Sequence, residues 1–388
     1  MLKRPTKRTT LISLAVVLAI LFGSLSWSIG SVLAAPGTDS VAARLAEWGR
    51  DHGLGFVVTA GENLQYWLNP PKIGGKPTGT ELQDLNGQTV SPSPSQSPTA
   101  NPTSSPTPTP TPLVPIHDPL QPIVSPALNG EGTFKAVVKV NKQPVIQIAY
   151  LRPDGQHTSY LSGVAWMSGS QLTFVQHPGF SDPGHLNLWT QPSIIPVAKR
   201  AGLVATFNGG FKIKNSRGGF YADGNTAGTL VKGAASLVVY ADGHSDILSW
   251  SGKKPGPDIV SIRQNLTLLI NKGQVTPNLD KNVLANWGWT LKNEYFVWRT
   301  GIGITASGDF VFVAGNALSI QSLANLLLRA GSVRAMELDI NPEWISYMWY
   351  TPGATATSPI PHKLLDFARP ADRYFQPTSR DFFAVYAK

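Results

Sequence analysis

The chain has 388 residues, with 32 Lys+Arg against 23 Asp+Glu for a formal net charge of +9, yet charged residues make up only 14% of it. Beyond the extreme N-terminus no basic run is interleaved with aromatics, which argues against a nucleic-acid partner and suits a surface that faces an anionic envelope polymer. Cysteine is absent, which rules out disulfides and thiolate chemistry, and the seven histidines show neither HExxH nor paired ligand spacing.

From the N-terminus, Lys3, Arg4, Lys7 and Arg8 precede an uncharged, mostly apolar run from Leu11 to about Ala35. At about 1.5 Å per helical residue the run is long enough to cross a bilayer. The basic flank predicts a cytoplasmic start, a single pass through the cell membrane and everything downstream outside. Val32-Leu33-Ala34-Ala35 also fits a signal-peptidase site, which would yield a secreted chain; the length of the run favours an uncleaved anchor. Residues 1–35 are therefore read as a basic flank with an anchor or signal peptide.

Residues 36–73 read as a short juxtamembrane helical segment. Ser40 caps a helix over 40–53, Val41, Leu45 and Trp48 form its stripe, and Gly53 closes it. A second helix-like patch over 61–69 holds Leu64, Trp67 and Leu68 before Pro70-Pro71 ends it. The pair is expected to act as a spacer, its helices packed on each other or on the membrane surface. Composition changes over 74–131. The stretch 91–112 is built almost entirely from Ser, Pro and Thr and cannot offset its ordering entropy. It predicts a disordered stalk reaching up to roughly 70 Å at about 3.1 Å per residue.

Residues 132–388 form the folded domain. Runs at 136–140 and 145–150 read as strands. Residues 237–240 lead into Asp242-Gly243, 265–270 precede Lys272-Gly273 and Gln274-Val275, and 300–305 precede Ser307-Gly308 and 309–314; each reads as a hairpin. Ser319 caps a helix over 319–330 with Leu323, Leu326, Leu327 and Ala330 as its stripe and Gly331 as its stop. A strand-like run over 334–340 follows. The order predicts an α+β fold of mainly antiparallel sheets with one or two packed helices.

Two stretches suggest chemistry. In 205–224 an apolar approach strand meets Asn208-Gly209-Gly210, then Phe211 and Lys212, then a second pair, Gly218-Gly219. Paired glycines suit a backbone that turns at positive φ or lets something approach closely. Exposed amides, an Asn side chain, lysine and an aromatic face suit an anionic or sugar-bearing ligand. In 336–344 the acids concentrate: along a strand Glu337, Asp339 and Asn341 share one face, and Pro342 leaves Asp339 and Asn341 at the rim beside Trp344. Carboxylates at a strand end suit general acid/base work or metal ligation, and an aromatic beside them can frame a sugar. Arg299, opening the third hairpin, has the planar fork of donors that clamps a phosphate.

Taken in order, these pieces resemble the phosphodiester glycosidase family, the bacterial relatives of the mannose-6-phosphate uncovering enzyme. Asn208-Gly209-Gly210-Phe211 matches the family's NGGFF turn, with Lys212 in place of the second Phe. Arg299-Thr300-Gly301-Ile302-Gly303 matches its R-T-A-I-G strand, and the 319–331 helix leads to 335–339 as the family's helix leads to an L-N-L-D strand. The likeness runs over about 134–388. It departs where the family continues D-G-G-G-S and this chain reads Asp339-Ile340-Asn341-Pro342-Glu343.

The resemblance implies hydrolysis of a sugar-1-phosphodiester, and the expected anchor and stalk would put its substrate on an envelope glycopolymer or glycolipid. Asp339, with Glu337 beside it, would supply the carboxylate. Arg299, Asn208 and the Gly209-Gly210 amides would supply donors, joined by Lys212, Thr300 and Asn341, while Phe211 and Trp344 wall the sugar. No cofactor is implied; a divalent cation beside Asp339 is compatible with the residues, but no ligand spacing specifies a metal. The altered Asp339–Glu343 segment also suits a catalytically inactive relative that binds envelope glycan.

Overall fold

The computed structural model describes residues 7–79, 82, 115–279, 281, 287 and 296–388. Lys3, Arg4 and the 91–112 stretch lie outside them. Three helices open the chain, α1 (Lys7–Leu33), α2 (Val41–Asp51) and α3 (Gly55–Leu68). Strands then follow: β1 (Lys135–Val140), β2 (Gln143–Leu151), β3 (Ser162–Met167), β4 (Leu172–His177) and β5 (Leu203–Asn208). The single turn α4 (Ile213–Ser216) leads to β6 (Phe220–Ala222), β7 (Asn225–Ala227), β8 (Ala235–Tyr240), β9 (Ser245–Ser249), β10 (Ile259–Gln264), β11 (Leu268–Asn271) and β12 (Gln274–Val275). The long hairpin β13 (Val297–Thr305) and β14 (Phe310–Leu318) precedes α5 (Ile320–Arg329) and β15 (Ser332–Glu337). The chain closes with β16 (Tyr347–Thr351), β17 (Ile360–Lys363) and β18 (Phe382–Ala387).

The strands form three sheets, ordered β1-β2-β3-β14-β13-β15-β11-β12, β7-β6-β10-β8-β9 and β17-β16-β5-β18-β4. Every pairing between these strands is antiparallel, so the α+β expectation holds. The three expected hairpins form as β8–β9, β11–β12 and β13–β14.

The largest sheet is buried on both faces, and strand alternation assigns its side chains. Phe310, Phe312 and Ala314 of β14 point to a core shared with Phe207, Tyr347 and Phe383, while Val311 and Val313 point to the core under α5. Helix α5 forms because Ser319 accepts from the Ser322 amide and Ser322 returns the bond, and because Leu323, Leu326 and Leu327 bury one stripe.

Helix α1 contains Ala15–Leu33, 19 residues apolar enough to cross a membrane or to serve as a signal sequence, and no residue of that stretch is fully buried. Ser40 caps α2 as expected, whereas α3 starts at Gly55, earlier than the sequence suggested. The spacer expectation fails in one respect. Helix α2 packs on α1 and α3, but its acidic face lies on the folded domain, where Glu47 and Asp51 meet Lys212 and Lys214. Two acids on one helical face meeting two lysines of the domain make this contact electrostatically complementary.

Residues before the expected domain start at 132 also contact the folded domain. Gln147 bonds to both Pro115 and His117, the Leu120 amide donates to Gly132, and Glu131 pairs with Arg152 in the interior. On the other side, Gly74 and Gly75 bond to Gln156 and Thr158. Both flanks of the Ser/Pro/Thr stretch therefore touch the domain that it was expected to hold away from the membrane.

Candidate active site

Three sheet strands and two loops converge on the Asn208 turn. Asn208 ends β5, where it pairs with Phe382 of β18. Its Oδ1 accepts the Ser346 amide at 3.0 Å, and its Nδ2 donates to the Gly209 carbonyl at 2.7 Å and to Thr300 Oγ1 at 3.2 Å. Thr300, on β13, binds the backbone of Asp339 in both directions: its amide reaches the Asp339 carbonyl at 2.9 Å, and its Oγ1 accepts the Asp339 amide at 3.1 Å. Asn208, Thr300 and Asp339 are thus fastened into one unit.

The glycines after Asn208 serve close approach rather than positive φ, since neither is among the residues with positive φ. A Cβ on Gly209 would stand 2.1 Å from Asp381 Oδ2, and one on Gly210 would stand 2.9 Å from the Asn265 side chain. The Gly209 amide is already engaged by the Asp381 carbonyl. Beneath the turn Arg263 and Asp381 form a fully buried pair at 2.7 Å, so the loop rests on a fixed ionic floor.

Strand β15 stops at Glu337, two residues before Asp339. The expected single face for Glu337, Asp339 and Asn341 therefore does not form. Leu338 and Asp339 peel away to pair with Thr300, and Asp339 Oδ1 accepts the amides of Ile340 at 2.7 Å and Asn341 at 2.9 Å. This side-chain turn orients the carboxylate and leaves Oδ2 facing Arg380 Nη2 at 3.7 Å. Burial pushes the Asp339 carboxyl up to about 6, against the opposing pull of Arg380 and the two amides. Asn341 folds back onto the Glu343 amide through its own Oδ1.

Glu337 and Arg299 lie elsewhere. Both are fully buried; Arg299 Nη1 meets Glu337 Oε1 at 2.6 Å and Arg299 Nε donates to the Leu318 carbonyl. Alternation along β13 sends Arg299 to the face opposite Thr300, so the guanidinium lies behind the sheet and does not meet Asp339 as a phosphate clamp would. Burial pushes Glu337 up to about 7 despite its partner. Phe211 likewise packs in the core under α5 with Leu266 and Leu269, and does not stand as a free sugar wall.

The guanidinium groups at the site come from a loop that the sequence reading passed over. Trp344 lies between Arg369 and Arg380, whose central carbons stand 5.5 and 5.3 Å from its ring centre. Arg373 donates to the Trp344 carbonyl at 3.2 Å, and Arg380 donates to the Gly210 carbonyl. Nε of Arg373 and of Arg380 are buried without a hydrogen-bond partner. Arg369 binds Glu343 and, from the N-terminal segment, Asp39 at 3.1 Å. Arginines 369, 373 and 380 precede Pro, Tyr and Asp in a loop with no periodicity; only their density near the C-terminus marked them.

A carboxylate with one fixed and one loosely paired oxygen, an adjacent buried guanidinium shared between Asp339 and Asp182 with no hydrogen bond at its Nε, and a backbone turn that admits no side chain can bind an anion and move a proton beside it. Among the described residues no three His, Cys, Asp or Glu side chains gather as a metal site would require.

The protein-family model described as phosphodiester glycosidase matches residues 201–339, from the start of β5 to Asp339. Over that stretch, less than half of the chain, the sequence is similar to phosphodiester glycosidases. Hydrolysis is the chemistry of that family. None of the curated proteins matches the sequence. Among solved structures, the chain is similar to the catalytic domain of zebrafish N-acetylglucosamine-1-phosphodiester alpha-N-acetylglucosaminidase, described as auto-inhibited by pro-peptide. The identity there is 15% and the TM-score 0.42, over 66% of this chain and 88% of that one. A hypothetical protein from Synechocystis gives 12% and 0.35, over 64% of this chain and 63% of that one. A putative exported protein from Burkholderia pseudomallei gives 12% and 0.29, over 58% and 74%. Asn208, the glycine pair, Thr300 and Asp339 lie inside the matched glycosidase region, whereas Trp344 and the loop arginines lie beyond its end.

Proposed function

We propose that this domain hydrolyses a sugar-1-phosphodiester of the cell envelope, with α1 holding it at the outer face of the membrane. The observation that carries the reading is Asp339 Oδ2 facing Arg380 beside the Asn208-Gly209-Gly210 turn, which lies in the stretch similar to phosphodiester glycosidases. Asp339 takes a proton from water as the water oxygen bonds to the anomeric carbon. The bond from that carbon to the phosphate oxygen breaks, and its electron pair leaves with the phosphate. The product is a free sugar and a phosphomonoester whose charge Arg380 holds. Arg299 and Glu337 serve from behind, fixing β13 and the end of β15 so that Thr300 can hold Asp339. Trp344, stiffened between two guanidinium groups, and Asn341 border the sugar.

The test uses the purified full chain in detergent with a panel of sugar-1-phosphodiesters, reading released reducing sugar. Release that disappears in Asp339→Asn supports the assignment, and undiminished release in that variant overturns it. The Ile340-Asn341-Pro342-Glu343 segment, closed by its own Asn341–Glu343 bond where the family has glycines, favours a second reading in which the domain only binds glycan. Saturable binding of the same panel without any release would establish that one.

A further inference from the structure

Lys212 and Lys214 are held by carboxylates that come from far away in the sequence. Asp51 spans both ammonium groups, Oδ1 at 2.7 Å from Lys214 Nζ and Oδ2 at 3.6 Å from Lys212 Nζ. Glu47 Oε2 is in direct contact with Lys212 as well. Glu47 and Asp51 are four residues apart on α2, so both project from one helical face about 5–6 Å apart at Cβ. Lys212 is buried to 8% exposure, and among the described residues both carboxylates within ion-pair distance of it come from α2. The domain's Asp182 instead accepts from the Ile213 amide and pairs with Arg380 Nε at 3.9 Å.

Glu47 also stands near the reacting centre: the Lys212 that it contacts follows Gly210 by two residues, the Gly210 carbonyl accepts from Arg380, and Arg380 faces Asp339, on which the charge of Glu47 adds to the upward push. A carboxylate beside a buried carboxylate is unfavourable unless cations hold it there. The same segment crosses the arginine loop: Asp39 meets Arg369, and a Cβ on Gly37 would stand 2.2 Å from the Pro377 carbonyl. The position of Glu47 is thus a place where this domain accepts negative charge near Asp339, and Asp51 holds the next turn of the same helix against Lys212 and Lys214.

We propose that Lys212 and Lys214 form an anion subsite beside the reacting centre, built for a substrate carrying phosphate groups in series, and that Glu47 and Asp51 occupy it as an internal competitor. The proposal rests on the functional reading above and narrows its substrate class. Glu47, which also meets Arg50 on its own helix, and Asp51 together compensate the two lysines; a ligand bearing only the scissile diester brings one charge and leaves the buried Lys212 ammonium uncompensated. A chain with a second phosphate replaces both.

The experiment measures calorimetric binding of inorganic tripolyphosphate and of orthophosphate to the full chain in detergent, in an Asp339→Asn background that keeps hydrolysis out of the reading. Glu47→Gln/Asp51→Asn is expected to bind tripolyphosphate about tenfold more tightly, and Lys212→Ala/Lys214→Ala about tenfold more weakly. Orthophosphate affinity should change much less in both. The proposal is overturned if removing the two acids leaves tripolyphosphate binding unchanged or weaker, or if removing the two lysines leaves it intact. Binding is read without turnover, so the subsite stands or falls separately from the hydrolase assignment.

Discussion

Arg380 Nη2 stands 3.7 Å from Asp339 Oδ2, while Asp339 Oδ1 is fastened by two backbone amides. The two oxygens of one carboxylate therefore have different work. One sets the orientation of the group, and the other, loosely paired, is free to exchange its partner for a reacting proton.

From this division, Asp339→Asn keeps the side-chain turn and removes the base. Sugar release from a sugar-1-phosphodiester should fall by about 10²–10⁴. Circular dichroism of the variant should match the parent, because Asn Oδ1 can still accept both amides.

The pH dependence follows from the raised Asp339 carboxyl. As a base it must be ionised, so turnover should rise with pH through about 6. Glu47 contributes to the raised value, so Glu47→Gln should move the midpoint of the rate profile down. Stability runs the other way. The folded-state value of about 6 exceeds the ordinary 3.8, so the native state holds the proton more tightly. The group's stabilisation is present below about 4 and is lost as pH rises through about 6. Melting curves at pH 5 and pH 8 should therefore converge in Asp339→Asn relative to the parent; an unchanged difference would refute the burial argument.

The Arg299–Glu337 pair is a structural brace in this fold. Arg299→Ala leaves a buried, uncompensated carboxylate and should cost about 3–5 kcal/mol in denaturant unfolding. Arg299→Met with Glu337→Leu should recover most of that loss, since apolar replacements remove both desolvated charges together.

Leu327, on the inner face of α5, is fully buried against Gly301 of β13. Leu327→Ala should cost about 2–5 kcal/mol by transfer and cavity terms, with the cost set by how far α5 can settle. Chemical unfolding monitored by tryptophan fluorescence measures it.

If α1 remains as an anchor, the intact chain should sediment with membranes and resist alkaline extraction. A soluble product beginning near Ala35 would instead show that the segment is cleaved as a signal.

Much of the domain was legible locally. The α5 cap and stripe, the three hairpins and the Ser40 cap all depend on residues within a few positions of one another. The Asn208 turn and Asp339 were visible as candidates for the same reason: glycine pairs and scarce acids stand out in a run of sequence. The strand through Asp339 was over-extended because period-two alternation continues through Leu338 and Ile340. What ends it is Thr300 capturing the Leu338 and Asp339 backbone, a partner 39 residues away. Arg299 read as a clamp because alternation alone does not say which face of β13 meets the cleft.

The sequence by itself determined an apolar N-terminal helix, a mainly antiparallel domain and the presence of an asparagine–glycine turn and an isolated aspartate, because turn chemistry and hydrophobic period act over a few residues. Only the tertiary structure decided which charges meet. Arg380 reaches Asp339 because β18 pairs with β5, and Glu47 reaches Lys212 from 165 positions away in the sequence. Electrostatic partners are chosen by proximity after the sheets have packed, and local pattern carries no record of that choice.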